Sequence, residues 1–147
     1  MTAISPFVTF VGVLFLEDFR EARITPAAVR ILNWLYAFCG PQFVPNITFV
    51  TTRWDGNDQD GLEEYFSRLH HWEGEDQGLF SRFLAKGAQW YHHGLVKGNG
   101  GKWRTLSIKR QTREQEIAAR RMIAFRYLNA TATPLLILHE LDLPMPL

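Results

Sequence analysis

Two continuous apolar runs separated by one helical pattern constrain the fold of this chain more than any other feature. Phe7 to Leu16 and Ile47 to Thr52 are rich in β-branched and aromatic residues, which is typical of strands buried on both faces of a sheet. Between them, Thr25 can cap a helix, Pro26 can take its first position and Gly40 can end it. This order predicts a βαβ crossover whose parallel strands have their carboxyl ends at one edge of the sheet.

Helical spacing gives the first predicted helix one apolar face. That face consists of Ala28, Ile31, Leu32, Leu35, Phe38 and Cys39. Further along, the patterns predict two short helices, a third strand, a glycine-rich hairpin and a charged helix. These elements are Leu62 to Trp72, Gly78 to Ala88, Gln89 to Val96, Lys97 to Trp103 and Arg113 to Leu128.

The last two helical predictions concern the C-terminal third of the chain. The charged helix is predicted to bury Ala118, Ala119, Met122, Ile123 and Phe125. Pro134 to Leu147 is apolar and is interpreted as a further helix. We therefore predict a single domain over residues 1–147, an α/β fold with a truncated three-layer sheet of mainly parallel strands and flanking helices.

Composition excludes several kinds of partner. The net charge is +1 with acidic and basic residues intermixed, so no broad positive surface is available for nucleic acid. The longest apolar run is too short to span a bilayer, and we expect no membrane partner. A single cysteine, Cys39, excludes an internal disulfide and favours a cytoplasmic protein with an inert core thiol.

The end of the second strand gathers a hydroxyl pair, a guanidinium, an indole and a carboxylate in Thr51 to Asp55. Because parallel strands end at the same edge, Glu17 at the end of the first strand is expected to lie near Asp55. One interpretation is a ligand pocket with an aromatic wall and paired charges. The other is structural: Asp55 caps a turn, Arg53 pairs with Glu17 or Asp18, and Trp54 belongs to the core.

Two pairs of adjacent histidines offer a second kind of chemistry. Adjacent side chains point in different directions, so a metal site could take one histidine from His70-His71 and one from His92-His93, with Glu73 or Asp76 as a carboxylate ligand. The preferred interpretation assigns no metal site. It leaves His92 or His93, beside Trp90 and Tyr91, as a proton carrier near neutral pH.

Several segments, in order, resemble the fungal G-domain proteins, which are P-loop GTPase-like and related to septins and plant-immunity GTPases. The matching segments are Gly12 to Leu16, Arg23, Cys39-Gly40, Thr51 to Asp55, "FLAKGAQWYHHG" and "LLILHEL". The resemblance implies a C-terminal half of a GTPase-like domain, with Asp55 as the reader of a base and Arg53 as a stem against its ring. No phosphate-binding loop ending in Gly-Lys-Ser/Thr is present, since Lys102 is followed by Trp103, so GTP hydrolysis is not expected.

The predicted function combines the pocket with that resemblance. We expect a degenerate GTPase-like domain that binds a small organic molecule, as a cofactor-independent isomerase, cyclase or lyase of fungal specialised metabolism. The expected proton handlers are Asp55, Glu17 and His92, and the expected substrate-binding residues are Arg53, Trp54, Arg23 and Tyr91. A truncated sheet also predicts a homodimer. Two alternatives are a regulatory or scaffold module that partners a full-length GTPase-like protein, with or without guanine nucleotide, and an inactive truncated product.

Overall fold

A computed structural model describes residues 10–18, 24–74 and 79–128 of the chain. The strands are β1 (Val13–Asp18), β2 (Ile47–Thr52), β3 (Gln89–His92), β4 (Leu95–Lys97) and β5 (Trp103–Thr105), and the helices are α1 (Pro26–Cys39), α2 (Gln59–Gly74), α3 (Leu79–Leu84) and α4 (Thr112–Tyr127). The first three strands form a parallel sheet in the order β1-β2-β3, and β4 and β5 form an antiparallel hairpin. The predicted α/β fold with mainly parallel strands and flanking helices is confirmed.

The βαβ unit forms as the sequence predicts. The Thr25 hydroxyl accepts a hydrogen bond from the Ala28 amide at 3.1 Å, Pro26 occupies the first turn of α1, and Gly40 ends the helix with a φ of 78°. Strand β2 has the predicted bounds and pairs with β1 in parallel. Strand β1 continues beyond the apolar run through Glu17 and Asp18, because these residues pair with Thr51 and Thr52 of β2.

Alternation along the strands gives the sheet two different faces. Phe15, Phe49 and Trp90 share the first face, which also carries Glu17, Thr51 and His92. The second face carries two cross-strand rows, one of Leu14, Thr48 and Gln89 and the other of Leu16, Val50 and Tyr91. Helices α1, α2 and α3 cover the first face, as expected when two right-handed crossovers proceed in the same direction. The last turn of α4 reaches the second face.

The core centres on Phe49 of β2. Its ring lies 5.1 Å from Phe80 and 5.3 Å from Phe83 of α3, measured between centroids, and both contacts are edge-to-face. The rings of Phe15 and Trp90, on the neighbouring strands, lie 5.9 Å and 5.4 Å away. Edge-to-face pairs at these distances are favourable beyond the area that they bury, so Phe49 joins the sheet to α3.

Two predicted apolar faces differ from the structure. Ile31 of α1 is 52% exposed, although Ala28, Leu32, Leu35 and Cys39 of the same predicted face are buried. In α4, Ile123 is exposed and Phe125 is 91% exposed, and the buried residue is Gln115. Polar contacts orient α4: the Gln115 amide donates to the Leu106 carbonyl at 3.0 Å, and Arg126 and Tyr127 bond to the sheet.

The predicted third strand divides into two. Residues Gln89–His92 join the parallel sheet, and Leu95–Lys97 belong to the hairpin with β5. Gly94 lies between them with a φ of 94°, a left-handed conformation that glycine adopts without strain and that turns the chain out of the first sheet. The helix predicted within Pro134 to Leu147 lies outside the described residues.

Candidate functional site

The carboxyl edge of the parallel sheet brings together part of the predicted site. Glu17, Thr51 and His92 occupy one cross-strand row on the first face. The Thr52 hydroxyl donates to the Glu17 carbonyl at 3.3 Å, which ties the ends of β1 and β2 together. The ends of β1, β2 and β3 therefore lie side by side, and the middle residue of the row is Thr51, to which the sequence analysis gave no separate role. The proximity of Glu17 to Asp55 stays a prediction.

His92 lies within an aromatic cluster that we define as Trp54, Tyr65, Phe66, His92 and Trp103. The centroid of the His92 ring lies 5.4 Å from Trp54, 6.2 Å from Phe66 and 6.0 Å from Trp103. Tyr65 joins the cluster through an edge-to-face contact with Trp54 at 5.7 Å. These rings come from the end of β2, from α2 and from the hairpin, so the tertiary fold builds the cluster around the imidazole.

Hydrogen bonding fixes one side of the His92 ring. The Thr51 hydroxyl oxygen lies 2.7 Å from Nδ1 of His92 and accepts a hydrogen bond from the Trp54 indole N–H at 2.9 Å. Burial among the aromatic rings lowers the pKa of His92 from 6.5 to about 4, because the charged imidazolium is poorly solvated there. The imidazole is therefore neutral at neutral pH, which does not favour the predicted role of His92 as a proton carrier in that range.

Trp54 belongs to the core, as the structural interpretation of this motif predicted. It is 1% exposed, and Phe66 of α2 lies 5.4 Å from it between ring centroids. Its indole N–H is satisfied by Thr51, as a buried donor requires. The Trp54 carbonyl accepts a hydrogen bond from the Asn57 amide at 2.8 Å, which closes the turn after β2.

Arg53 directs the chain out of β2 through a left-handed backbone conformation. Its φ of 69° is positive, and no other non-glycine residue in the described part of the chain has a positive φ. Its side chain is exposed, and Asp55 two positions later is also exposed. A residue with a side chain is disfavoured in the left-handed region of φ and ψ, so Arg53 stores backbone strain in this turn. The buried residues Thr51 and Trp54 hold the chain on either side of it.

This strain leads to a stability prediction. Replacing Arg53 by glycine is expected to raise the free energy of unfolding by about 1 kcal/mol, because glycine adopts positive φ without a Cβ clash. Urea denaturation measures the change. Gly56→Ala is the matched comparison, because Gly56 has a φ of 80° and an added Cβ meets nothing within 4 Å. That variant is expected to lose about 1 kcal/mol from backbone strain alone. A destabilised Arg53→Gly protein contradicts the prediction.

Asp55 lines a separate recess, which we call the edge groove. The groove has a volume of about 390 Å³ and is lined by Asp55, Gly56, Thr105, Ser107, Ile108, Lys109 and Gln111. Within the described residues, the Asp55 carboxylate has no hydrogen-bond or ion-pair partner, so it does not cap the following turn. Two hydrogen bonds between Ser107 and Gln111 hold the opposite wall. The backbone N–H of Ser107 donates to the side-chain oxygen of Gln111 at 3.0 Å, and the backbone N–H of Gln111 donates to the Ser107 carbonyl at 2.8 Å.

The remaining predicted residues do not join His92. Tyr91 precedes His92 in β3, and alternation places it on the second face of the sheet. Arg23 lies outside the described residues. The predicted set is therefore divided: Glu17, Trp54 and His92 lie at the first face, Asp55 in the edge groove, Arg53 in the turn between them, and Tyr91 on the opposite side.

The helix starts at this edge are already occupied by the chain's own groups. Thr25 caps α1, and the printed sequence has no glycine between Val13 and Cys39. At α2, the Asp58 carboxylate accepts from the Gly61 amide at 2.8 Å, and Asp60 adds a second carboxylate in the first turn. A phosphate group is favoured where helix amides are open and glycines allow close approach, so neither start suits one.

Three further features of the described ranges concern metal binding, thiol chemistry and membrane spanning. The described ranges contain no group of three or more His, Cys, Asp and Glu side chains able to hold a metal ion, and Asp76, a ligand considered for the histidine pairs, lies outside them. Burial raises the pKa of the Cys39 thiol to about 11, which leaves it protonated and unreactive. No helix within residues 10–18, 24–74 and 79–128 is both long and apolar enough to cross a bilayer.

Comparison with known proteins gives one relative. The chain is 32% identical over 127 residues to a protein of Aspergillus luteorubrus named "Probable FAD-binding monooxygenase ltbD". The match covers 86% of this chain and 25% of the relative, so the chain spans about a quarter of that protein's length. No protein-family model matches the chain. No solved structure matches it.

This relative overturns the resemblance to fungal G-domain proteins. The protein found is named for FAD binding and monooxygenation, and the comparisons contain no support for a G domain. The GTPase-like half-domain with isomerase, cyclase or lyase activity was therefore a wrong prediction, and so was the alternative of a module partnering a GTPase-like protein. The motif in Thr51 to Asp55 has a local explanation instead, since Trp54 is core and Arg53 forms the turn.

Sequence reasoning missed the partners of the site. Thr51 carried a usable signal, because its position in β2 alternates with Val50 and places it on the face of Phe49. Trp103 and the wall from Ser107 to Gln111 gave no such signal. They approach β2 from about fifty positions further along the sequence, and only the fold determines that approach.

Proposed function

We propose that this chain is a substrate-contacting segment of an FAD-dependent monooxygenase type of protein and binds a small organic molecule in the edge groove. The observation that carries the proposal is the Asp55 carboxylate, which lines this groove without a partner among the described residues. The similarity to a quarter of a protein named as an FAD-binding monooxygenase supplies the class of protein. The carboxyl edge of a parallel sheet is where open α/β folds place ligands.

The described residues do not fit the FAD diphosphate. Dinucleotides are held where a strand leads through a glycine-rich turn into an open helix start, and the start of α1 has a threonine cap and no such glycines. The start of α2 presents the carboxylates of Asp58 and Asp60, which repel phosphate. We therefore assign the flavin to residues outside the described ones and derive no step through it.

The lining of the edge groove indicates the chemistry of the ligand. Asp55 can accept hydrogen bonds from hydroxyl or N–H groups, and Lys109 can donate to an oxygen. The hydroxyls of Thr105 and Ser107 add neutral polar contacts, and Ile108 adds an apolar surface. This combination suits a small hydroxylated aromatic molecule, whose hydroxyl groups bond to Asp55 while its ring packs on Ile108.

Within this proposal the other predicted residues have supporting roles. His92, which is neutral, accepts or donates hydrogen bonds and positions the end of β2 through Thr51. Trp54 supports the turn that carries Asp55, and Arg53 sets its direction. Glu17 shares the cross-strand row of Thr51 and His92 and does not line the edge groove, so its role as a proton handler is not part of this proposal.

A binding experiment tests the proposal with resorcinol and FAD as separate probes. Amide chemical shifts of the isotope-labelled chain are followed by NMR as each probe is added. Resorcinol is expected to shift Gly56, Ser107 and Lys109 in a saturable way, and Asp55→Asn is expected to weaken binding about tenfold, the effect of losing a charged acceptor. FAD is expected to cause no saturable shift at the starts of α1 and α2.

Asp60→Asn is the matched control, because it removes an exposed carboxylate from α2 outside the groove. It is expected to leave resorcinol binding unchanged. An absence of resorcinol shifts, or an unchanged affinity in Asp55→Asn, refutes the groove as the binding site. Saturable FAD shifts centred on the start of α1 or of α2 refute the assignment of the flavin to residues outside the described ones.

Two predictions about partner and place remain proposals. We propose a homodimer, supported by the exposed Ile31 and Trp34 on α1, where association covers apolar surface. Analytical ultracentrifugation checks it, and a monomer at all concentrations contradicts it.

We propose a cytoplasmic location, supported by a single buried thiol with no disulfide.

A further inference from the structure

The second face of the sheet holds a guanidinium without a carboxylate partner among the described residues. Arg126 lies in the last turn of α4 and is half-buried. One terminal nitrogen donates to the Thr48 hydroxyl at 2.9 Å, and the other donates to the Trp90 carbonyl at 2.8 Å. Both acceptors are neutral, so these bonds orient the guanidinium across β2 and β3 and leave its charge uncompensated.

The hydroxyls beside Arg126 are neutral and hydrogen-bonded to each other, so they do not compensate its charge. The Tyr127 hydroxyl donates to the Asn46 carbonyl at 3.0 Å, so the proton in its 2.6 Å contact with Thr48 comes from the Thr48 hydroxyl. Each hydroxyl thus has its proton committed in one direction, away from Arg126. A guanidinium carries five N–H donors, and the described residues use two of those on Arg126. Three donors remain for another acceptor.

Tyr91 adds a hydroxyl to the same site. It follows Trp90 in β3 and lies on the second face, in the cross-strand row of Leu16 and Val50. Burial raises the pKa of Tyr91, and the charge of Arg126 acts in the opposite direction, so the two groups are close enough to interact. Burial lowers the pKa of Arg126, and the nearby Tyr127 and Tyr91 oppose that change. The cation lies where an anionic partner is electrostatically favoured.

We propose that Arg126 and Tyr91 bind the carboxylate of a small organic acid on the second face of the sheet. The planar guanidinium fork matches the two oxygens of a carboxylate, and the Tyr91 hydroxyl can donate a further hydrogen bond. One cation balances one negative charge, which favours a carboxylate over a phosphate dianion. The exposed Leu14 and Leu16 on the same face offer contact to an apolar body. This site is separate from the edge groove and does not depend on the proposed function.

Benzoate is the probe in the experiment that tests this site. The Nε–Hε signals of the isotope-labelled arginines are followed by NMR during titration at constant ionic strength, with chloride as the replaced anion. A saturable shift of the Arg126 signal is expected. Arg126→Gln is expected to weaken benzoate binding about tenfold or more, and Tyr91→Phe about threefold.

Arg120→Gln is the matched control, because Arg120 is an exposed residue of the same helix that pairs with Glu116 at 2.7 Å. It is expected to leave benzoate binding unchanged. If the amide signals of Arg126→Gln lose their dispersion, that variant is unfolded and Tyr91→Phe serves as the test instead. Weaker benzoate binding by Tyr91→Phe supports the site, and unchanged binding overturns it. Shifts that do not saturate, or that are equal at Arg120 and Arg126, reflect non-specific attraction and also overturn it.

Discussion

Replacing Phe49 by alanine is expected to lower the free energy of unfolding by about 3 to 5 kcal/mol, the range for deleting a buried aromatic side chain. Phe49 is 1% exposed and contacts rings from both neighbouring strands and from α3. Alanine leaves a cavity that these rings cannot fill without shifting, so the transfer free energy and the packing are both lost. Urea denaturation followed by circular dichroism measures the loss, and the transition is expected at a much lower urea concentration.

Phe125→Ala provides the comparison within the same chain. Phe125 is 91% exposed on α4, so the same chemical change there is expected to alter the free energy of unfolding by no more than about 0.5 kcal/mol. The sequence pattern alone predicts the opposite for this position. Equal losses in the two variants mean that Phe125 is covered in solution, and a small loss in Phe49→Ala contradicts the core described above.

The βαβ unit was predictable because its signals are local. The run Ile47–Thr52 consists of apolar and β-branched residues without a charge, which is typical of a strand buried on both faces. The threonine-proline start and the glycine end of α1 act within a few residues of the helix. Parallel pairing follows from the single crossover helix. These features depend on chain connectivity and on sterics, both of which the sequence carries directly.

The orientation of α4 was not predictable from its apolar residues. Its predicted apolar face includes Ile123 and Phe125, which are exposed. Gln115, Arg126 and Tyr127 instead fix the helix through hydrogen bonds to the rest of the chain. Polar contacts of this kind depend on acceptors that only the folded structure brings close, such as the Trp90 carbonyl. Helical periodicity reports apolar burial and carries no information about them.

The candidate site was half predictable for a similar reason. The shared edge of β1 and β2 follows from parallel pairing, which places Glu17 beside Thr51. The division of His92 and Tyr91 between opposite faces follows from alternation along a strand, but only once the bounds of β3 are known. The edge groove needs the chain around Lys109 to approach Asp55, and no local pattern specifies that contact.

Acidification is expected to destabilise the protein through His92. The pKa of this imidazole falls from 6.5 to about 4 on folding, because burial disfavours its charged form. As the pH falls below the unfolded value, the unfolded chain binds a proton that the folded protein does not, so the folded state loses stability until the pH passes the folded value. The loss attributable to His92 is expected to reach about 3 kcal/mol across that window. Urea denaturation at a series of pH values measures it.

His92→Phe isolates this contribution, because phenylalanine keeps an aromatic ring in the cluster and cannot be protonated. The variant is expected to be about 1 kcal/mol less stable at neutral pH, since the hydrogen bond to Thr51 is lost, and to lose less stability on acidification than the parent protein. His70→Gln removes an exposed histidine of α2 and is expected to keep the full acid loss. If His92→Phe and the parent protein lose the same free energy between neutral and acidic pH, His92 is solvated in solution and the aromatic cluster does not enclose it.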